Sequence, residues 1–508
     1  MFVIGHNQLR KFRWLGYFSP TITILFLSLL VWMYRSSMTF QFFSQDYQVE
    51  PTPPGPTETL FTRAAPQELN VSVVAVEGTK TLLLGAFLEH RTYKKKVRVN
   101  AVVLRKERVT YRCLLRCQGQ LHTSGSFCSI HNDHFGFPYG TADILCHLPS
   151  GCQSPSHVAV TPAAAKSKGA PDEDFLEVKN QKKRSDSFPY NFTVCFSTMY
   201  NFTNVLQLVQ SLEMLQLLGV NRVVIYKTST SPETQRILDY YTQKGFVEVL
   251  AWSALSRFLN VSRVSKPSRG PGDLHYFGQI PALNDCVYRY MYQSRYVALH
   301  DTDELIVPQS VYSWSELLPL LEKKYGVDKC YLFDNTVFRS TITLPPPTNQ
   351  TLLPPSCCPG WQKVSGVNIL AHLYREPVRK THSNPKVIVN PRAVFSMSVH
   401  TALKSQRGCA LVNGTIALMY HTRPPQQSEL TLDQLIYDDR LLNYSSLLIP
   451  NVNTVIRENG LLPEESVQDP LFASVYVQVC MFVILCLCVC TCVYLCVCVR
   501  EKGRLFVP

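Results

Sequence analysis

Two carboxylates alternate at the end of a short apolar run in Tyr296-Val-Ala-Leu-His-Asp301-Thr-Asp303-Glu304-Leu-Ile-Val-Pro308. Strand side chains two positions apart leave the same face, so Asp301 and Asp303 are expected to point together. Hard oxygen ligands fixed by a buried strand suit a divalent cation, Mn²⁺ or Mg²⁺, carrying a diphosphate. The triplet by itself has a plainer explanation, a turn that leaves a strand with its acids in water, and only the surrounding chain separates the two.

The elements around the acids alternate between strand and helix from Tyr190 onward. Residues 192–196 form a strand; Val205, Leu208, Val209, Leu212 and Leu215 make one helical face; Gly219 closes that helix; and 222–226 form the next strand. Ser231 and Pro232 start a second helix with Ile237, Leu238 and Tyr241 inward, Gly245 ends it, and 246–250 form a third strand. Ile280, Leu283, Val287 and Met291 line a further helix that leads to the acidic strand. Repeated β-α units imply a largely parallel sheet with ligands at the carboxyl ends of its strands. No G-x-G-x-x-G follows the first strand and no Walker A sequence occurs, so the phosphate must be met by a metal, as in nucleotide-sugar transferases of the GT-A type.

The region from Asn191 to about Leu442 resembles glycosyltransferase family 92, a group of type II Golgi enzymes that includes β-1,4-galactosyltransferases acting on fucose. The matching blocks are Leu218-Gly-Val-Asn-Arg-Val-Val-Ile-Tyr226, Gly245-Phe-Val-Glu-Val-Leu-Ala-Trp252, Gln279-Ile-Pro-Ala-Leu-Asn-Asp285-Cys286, the block at Asp301, Lys386-Val-Ile-Val-Asn-Pro391 leading to His400, and Tyr420-His421-Thr-Arg423. Upstream, Leu84-Gly-Ala-Phe-Leu-Glu-His-Arg91 is similar to the family's accessory β-rich region. His300 and Thr302 stand around the first acid where the resemblance leads one to expect apolar residues.

The resemblance implies inverting transfer of galactose from UDP-galactose to a glycan acceptor, fucose included, on glycoproteins. In that chemistry Asp301 and Asp303 hold the cation on the diphosphate and His421 is its third ligand. Tyr226, at the end of the second strand, is placed either to contact the nucleotide or to pack in the core, and Lys386 and Arg423 either to stabilise phosphate charge or to serve as ordinary surface or ion-pair residues. Glu304, Asp334 and Glu376 are candidate bases, with Glu248 a further carboxylate and Asp285 a structural cap or supporting group. Two other functions fit the same residues: a catalytically silent, membrane-anchored glycan-binding protein, and a metal-dependent sugar-nucleotide hydrolase.

The rest of the chain indicates the compartment. Residues 14–34 carry no charge, with Arg10, Lys11 and Arg13 before them and Arg35 after, which reads as an uncleaved membrane anchor with residues 1–13 in the cytosol and the body in the lumen, in a Golgi membrane by the resemblance. Sequons at Asn70, Asn191, Asn201, Asn260, Asn349, Asn413 and Asn443 agree, as do eleven cysteines between Cys113 and Cys409, which read as disulfides because no His/Cys set has zinc spacing. The formal charge of +13 comes without an arginine-rich aromatic array, so nucleic acid is not an expected partner. The expected organisation is a stem over 35–68, a β-rich, sandwich-like domain over 69–162, a mobile linker over 163–189 and the GT-A-type α/β domain over 190–460. Residues 471–499 are uncharged and cysteine-rich; they read either as a second span or as the translation of a TG dinucleotide repeat, with no functional element expected there.

Overall fold

The computed structural model describes residues 68–165, 174–184, 186–346, 358, 360–378 and 384–462. The expected spans over 14–34 and 471–499, and the sequon at Asn349, lie outside the described residues; among those described, no helix is long and apolar enough to cross a membrane. The other six sequon asparagines are all exposed.

Four parallel strands form the centre of an eight-stranded sheet: Val247–Ala251, Arg222–Lys227, Tyr190–Met199 and Ser294–His300, in that order. Beyond them Lys386–Val389 joins antiparallel to Ser294–His300, and Cys330–Phe333 joins antiparallel to Lys386–Val389. The register sets Phe196 beside His300, so the first strand and the acidic one end at the same edge. Helices form where the apolar spacing demands them. Helix Val205–Leu217 buries Val205, Leu208, Val209, Leu212 and Leu215, and helix Pro232–Gln243 starts with Ser231 Oγ accepting from the Thr234 amide. Gly219 and Gly245 both have left-handed φ angles, the conformation that lets the chain leave a helix and turn into a strand.

A second sheet carries the chain past the acids. Glu304–Pro308 pairs antiparallel with Ala417–Arg423, which pairs parallel with Asn335–Arg339. Glu304 stands opposite His421 in this ladder, which draws residues more than a hundred positions apart to one point.

The β-rich region is a closed ring. Its ladder runs Leu82–Glu89, Lys96–Leu104, Tyr139–His147, Gln120–Ile130, Tyr111–Cys117, His157–Pro162 and Leu176–Lys179, and the last strand pairs back onto the first. The expected sandwich is thus a seven-stranded barrel, because Leu176–Lys179, assigned from sequence to a mobile linker, supplies the closing strand. Leu176 and Val178 are buried there between exposed or half-buried neighbours.

Barrel and transferase sheet share one hydrophobic cluster, in which Leu82, Leu84, Phe87 and Val102 of the barrel pack with Val224, Tyr226, Leu283 and Val287. Helix Gln279–Arg289 lies between them. Asn100 of the barrel donates to the Pro281 carbonyl at 2.9 Å, and the Tyr288 hydroxyl reaches Asp143 of the barrel at 3.1 Å. Gly85 permits this approach, since a Cβ there would meet Asp285 Oδ1 at 2.9 Å.

Six of the cysteines form disulfides: Cys113–Cys146 and Cys117–Cys152 within the barrel, and Cys195–Cys286 between the first strand and helix Gln279–Arg289. The last closes a loop with a sequence separation of 91, and removing such a cross-link costs about 2–5 kcal/mol. The double variant Cys195→Ala/Cys286→Ala is expected to lower the unfolding free energy by that amount in a denaturant titration; an unchanged unfolding free energy contradicts the pairing.

Candidate active site

A cavity of about 960 Å³ opens at the carboxyl edge of the parallel strands. That is near the upper end for ligand pockets, roughly 300–1,000 Å³. Its floor is the segment after Ser294–His300. The strand stops at His300, residues 301–303 form a turn, and Glu304 begins a strand of the second sheet, so Asp301 and Asp303 do not share a strand face as the alternation suggested. Both line the cavity, each with 37% of its side chain exposed, but they face different partners.

Asp301 Oδ1 accepts from Ser197 Oγ at 2.9 Å, and Ser197 accepts from Gln279 Nε2 at 2.7 Å. Oδ2 faces Lys386 Nζ at 2.9 Å. Glu304 Oε2 lies 3.1 Å from the same ammonium and accepts the Asp301 amide at 2.7 Å. Lys386 and Glu304 are almost fully buried, with 4% and 3% of their side chains exposed. Burial opposes charge on each group. The Asp301 and Glu304 carboxylates outweigh it at Lys386 and raise its pKa, while Lys386 and the Ser197 hydroxyl outweigh it at Asp301 and hold that carboxyl down at about 2. Glu304 goes the other way: burial, with the nearby Asp301 and Asp303 charges, raises its pKa against the pull of Lys386. The exposed part of Asp301 screens this field, so no stabilisation energy attaches to that contact.

Asp303 Oδ2 lies 3.1 Å from His421 Nε2, and His421 Nδ1 lies 3.5 Å from Glu304 Oε1. Burial would lower the His421 pKa, but the Asp303 hydrogen bond and the Asp303 and Glu304 charges raise it. The turn itself is pinned by Ser211 Oγ donating to the Thr302 carbonyl at 2.8 Å and the Thr422 amide donating to the Asp303 carbonyl at 3.3 Å. His300 explains itself here. It is fully buried, its Nδ1 faces the Asp301 carbonyl at 3.0 Å, and burial followed by the Lys386 charge pushes its pKa down to about 4. At neutral pH it is an uncharged ring packed on Phe196, filling an apolar position while its Nδ1–H steadies the turn.

Of the expected site residues, the cavity gathers Asp301, Asp303, Glu304, Lys386, His421 and Arg423. Three others stand elsewhere. Tyr226, expected at the nucleotide, is fully buried inside the sheet and donates its hydroxyl to Asp285 at 2.6 Å, with Arg289 on the same carboxylate. Glu376, a candidate base, is buried against Arg339 at 3.0 Å and accepts the amides of Gln426 and Gln427. Asp334, another, sits where the two sheets meet and its carbonyl accepts the Met419 amide. Glu248 pairs with Arg222 and the Tyr290 hydroxyl on the body of the sheet. The sequence reading missed Ser197, Gln279, His275 and His400, all on the cavity wall. Gln279 opens the block that carries part of the family resemblance, and Ser197 follows the first strand's apolar run; the register with His300 is what joins them.

The expected metal ligands are not drawn into one triad. Among the described residues no three His, Cys, Asp or Glu side chains are arranged to hold a metal ion, because Asp301 is engaged by Lys386 and Ser197. Asp303 and His421 do stand together on the cavity wall, and a carboxylate with an imidazole suits a cation that completes its shell with phosphate oxygens and water.

A mostly parallel sheet in this order, with an acidic turn at its carboxyl edge, is a glycosyltransferase-like α/β fold. The family model of glycosyltransferase family 92 matches residues 190–458, more than half of the 508, and the chain belongs to that family. By its name, that family is one of glycosyltransferases. A glycosyltransferase family 92 protein of Caenorhabditis elegans is 26% identical over 123 residues, 24% of this chain and 24% of that protein, so the chain matches about a quarter of that relative's length. Among solved structures, glucosyl-3-phosphoglycerate synthase of Mycobacterium tuberculosis, in complex with Mn²⁺, UDP and glucosyl-3-phosphoglycerate, is 9% identical, over 55% of this chain and 82% of that one. The TM-score is 0.20, and nothing about substrates follows from that likeness.

Removing one member of a buried ion pair strands the other charge, at a cost of ~3–5 kcal/mol. Lys386→Met, which keeps the bulk and removes the ammonium from Glu304, is expected to lower stability within that range in a denaturant titration, with part of the loss recovered in the double variant Lys386→Met/Glu304→Gln. A single variant as stable as the parent contradicts the buried pair.

Proposed function

We propose that the chain is a cation-dependent, inverting galactosyltransferase that moves galactose from UDP-galactose to a glycan acceptor on glycoproteins, fucose among the candidate acceptors. Its setting in this reading is the Golgi lumen, behind a type II anchor at residues 14–34. The observation that carries the proposal is the pairing of Asp303 with His421 at 3.1 Å on the same wall as the buried Lys386, inside a family of glycosyltransferases.

Asp303 and His421 would hold a divalent cation, which would supply Lewis-acid stabilisation of the leaving diphosphate. The protein's own groups do the rest. Asp301, kept anionic by Lys386 and Ser197, adds negative charge beside Asp303, and exposed Arg423, which lines the cavity, would meet phosphate oxygens. Lys386 holds the turn in register through Asp301 and Glu304. The acceptor oxygen then attacks the anomeric carbon from the face opposite UDP, the bond from that carbon to the phosphate oxygen breaks, and the hydroxyl proton passes to a base. Glu304 is the one expected base that lines the cavity, and its raised pKa favours proton acceptance.

Asp303→Asn removes a negative ligand at nearly constant volume on a partly exposed turn. The expected outcome is an unchanged melting temperature with a rate drop of roughly 10² to 10⁴, several kcal/mol of lost transition-state stabilisation. Adding Asp301→Asn is expected to cost less than the sum of the two single changes, since both remove negative charge from the same turn that attracts the cation. Initial rates with UDP-galactose across a Mn²⁺ titration check this; near-parental turnover by well-folded Asp303→Asn contradicts the assignment.

A further inference from the structure

Another part of the cavity lining has a different chemistry. The backbone at Tyr276, Phe277 and Gly278 has three consecutive positive φ values, 38°, 54° and 78°, and such strain in bulky residues gathers at functional sites. Gly278 is required there, because a Cβ would meet Leu255 Cδ1 at 2.9 Å. The strained turn presents rings in two parallel stacks: Tyr200 on Phe277, with centroids 4.0 Å apart, and Phe135 on His275, with centroids 4.1 Å apart. Phe135 comes from the barrel, on a turn tied to the transferase part by Asp133 and Ser398. It too has a positive φ, 52°. His275 is 6% exposed, lines the cavity, and its Nδ1 has no hydrogen-bond partner among the described residues. Burial, and then nearby His400, push its pKa down to about 4, so it is a neutral ring with an unsatisfied polar atom.

Beside this shelf runs a basic turn. The amides of Tyr276 and Phe277 donate to the carbonyls of Val264 and Ser262, both at 3.1 Å, which fixes the turn against the rings. Arg263, Lys266 and Arg269 are exposed on it and line the cavity. Arg269 donates to the Ser265 hydroxyl, and no carboxylate of a described residue forms an ion pair with any of the three. Lys386 is neutralised by Asp301 and Glu304, and in the proposed reading the diphosphate is met by the cation at Asp303 and His421 together with Arg423. The basic turn is not among the groups that this reading assigns to the donor.

We infer that this part of the cavity is an acceptor subsite for an acidic glycan: the exposed ring of Tyr200 and the half-buried ring of Phe135, backed by the buried rings of Phe277 and His275, take the apolar face of a pyranose, and Arg263, Lys266 and Arg269 take a carboxylate or sulfate carried on the glycan. The inference rests on the reading of the chain as a glycosyl-transferring protein, and it is tested by binding alone, so that lack of transfer and lack of recognition are separate results. Flat aromatic surfaces suit the C–H face of a sugar, charge-assisted hydrogen bonds from arginine suit a planar or tetrahedral anion, and neither replaces the other.

The full chain is titrated, without donor, with matched neutral, sialylated and sulfated N-acetyllactosamine, and separately with UDP and Mn²⁺. An anionic form is expected to bind about tenfold more tightly than the neutral one at low salt, and the gap to close at high salt, as screened charges require. Whether the sialylated or the sulfated form binds more tightly identifies the source of the anion. Lys266→Ala/Arg269→Ala is expected to abolish the preference while leaving the UDP affinity unmoved, and Phe135→Ala to weaken neutral and anionic forms alike. Equal binding of all three glycans, no binding of either anionic form, or an equal loss of UDP affinity in the double variant overturns the inference. Both sets of substitutions fall on exposed or half-buried side chains, and melting curves confirm the fold.

Discussion

A single buried ammonium organises this molecule's functional edge. Lys386 is held between Asp301 and Glu304 with almost no exposure, and an isolated cation there would cost several kcal/mol to desolvate. Its two carboxylates come from opposite ends of the short turn that joins one sheet to the other, so satisfying the lysine fixes the turn. With the turn fixed, Asp303 is left facing the cavity beside His421, and the second sheet brings that histidine opposite Glu304. The acidic pair is thus two unlike groups: Asp301 is committed to the protein's own cation, and Asp303 is free to meet another.

The barrel matters because it backs the helix that serves the same turn. Gln279, at the start of helix Gln279–Arg289, donates to Ser197, which donates to Asp301. That helix is clamped on one side by the Cys195–Cys286 disulfide and on the other by the barrel's Asn100 and Asp143. Tyr226 and Asp285 belong to this clamp. Their hydrogen bond and the Arg289 pair lie beneath Gly85, where a side chain on the barrel strand would collide with Asp285. Residues that looked like chemistry in the sequence are, in this region, the means of joining two halves of the fold.

What was legible in the sequence was local. Apolar spacing placed the strands and helices from Tyr190 onward, with Ser231, Gly219 and Gly245 marking boundaries through capping and left-handed backbone, and the acidic turn fell at a strand end as parallel-sheet architecture requires. Pairings across long separations were not legible. Nothing near Lys386 announces that its charge is buried, and Tyr226 differs from a ligand-binding tyrosine only in what covers it. Glu376 reads as an available carboxylate until Arg339 is seen against it. The closing strand of the barrel was hidden for another reason: Leu176 and Val178 alternate correctly, but lysines and acids on both sides gave the segment the composition of a linker. The resemblance to the family carried His421 and Arg423 to the cavity, whereas Ser197, His275 and Phe135 reach it through register and domain contact that no motif encodes.

The division of labour between Lys386 and the Asp303–His421 pair has a direct thermodynamic signature. If Lys386 is consumed by Asp301 and Glu304, the diphosphate cannot be held by the protein's fixed charges alone and needs a cation at Asp303 and His421. Calorimetric titration of the full chain with UDP, once with Mn²⁺ and once with a chelator, measures this. The expected result is an affinity at least roughly a hundredfold higher with Mn²⁺, about 2.7 kcal/mol. Equal affinity in the two titrations contradicts it and places the diphosphate on the basic side chains instead.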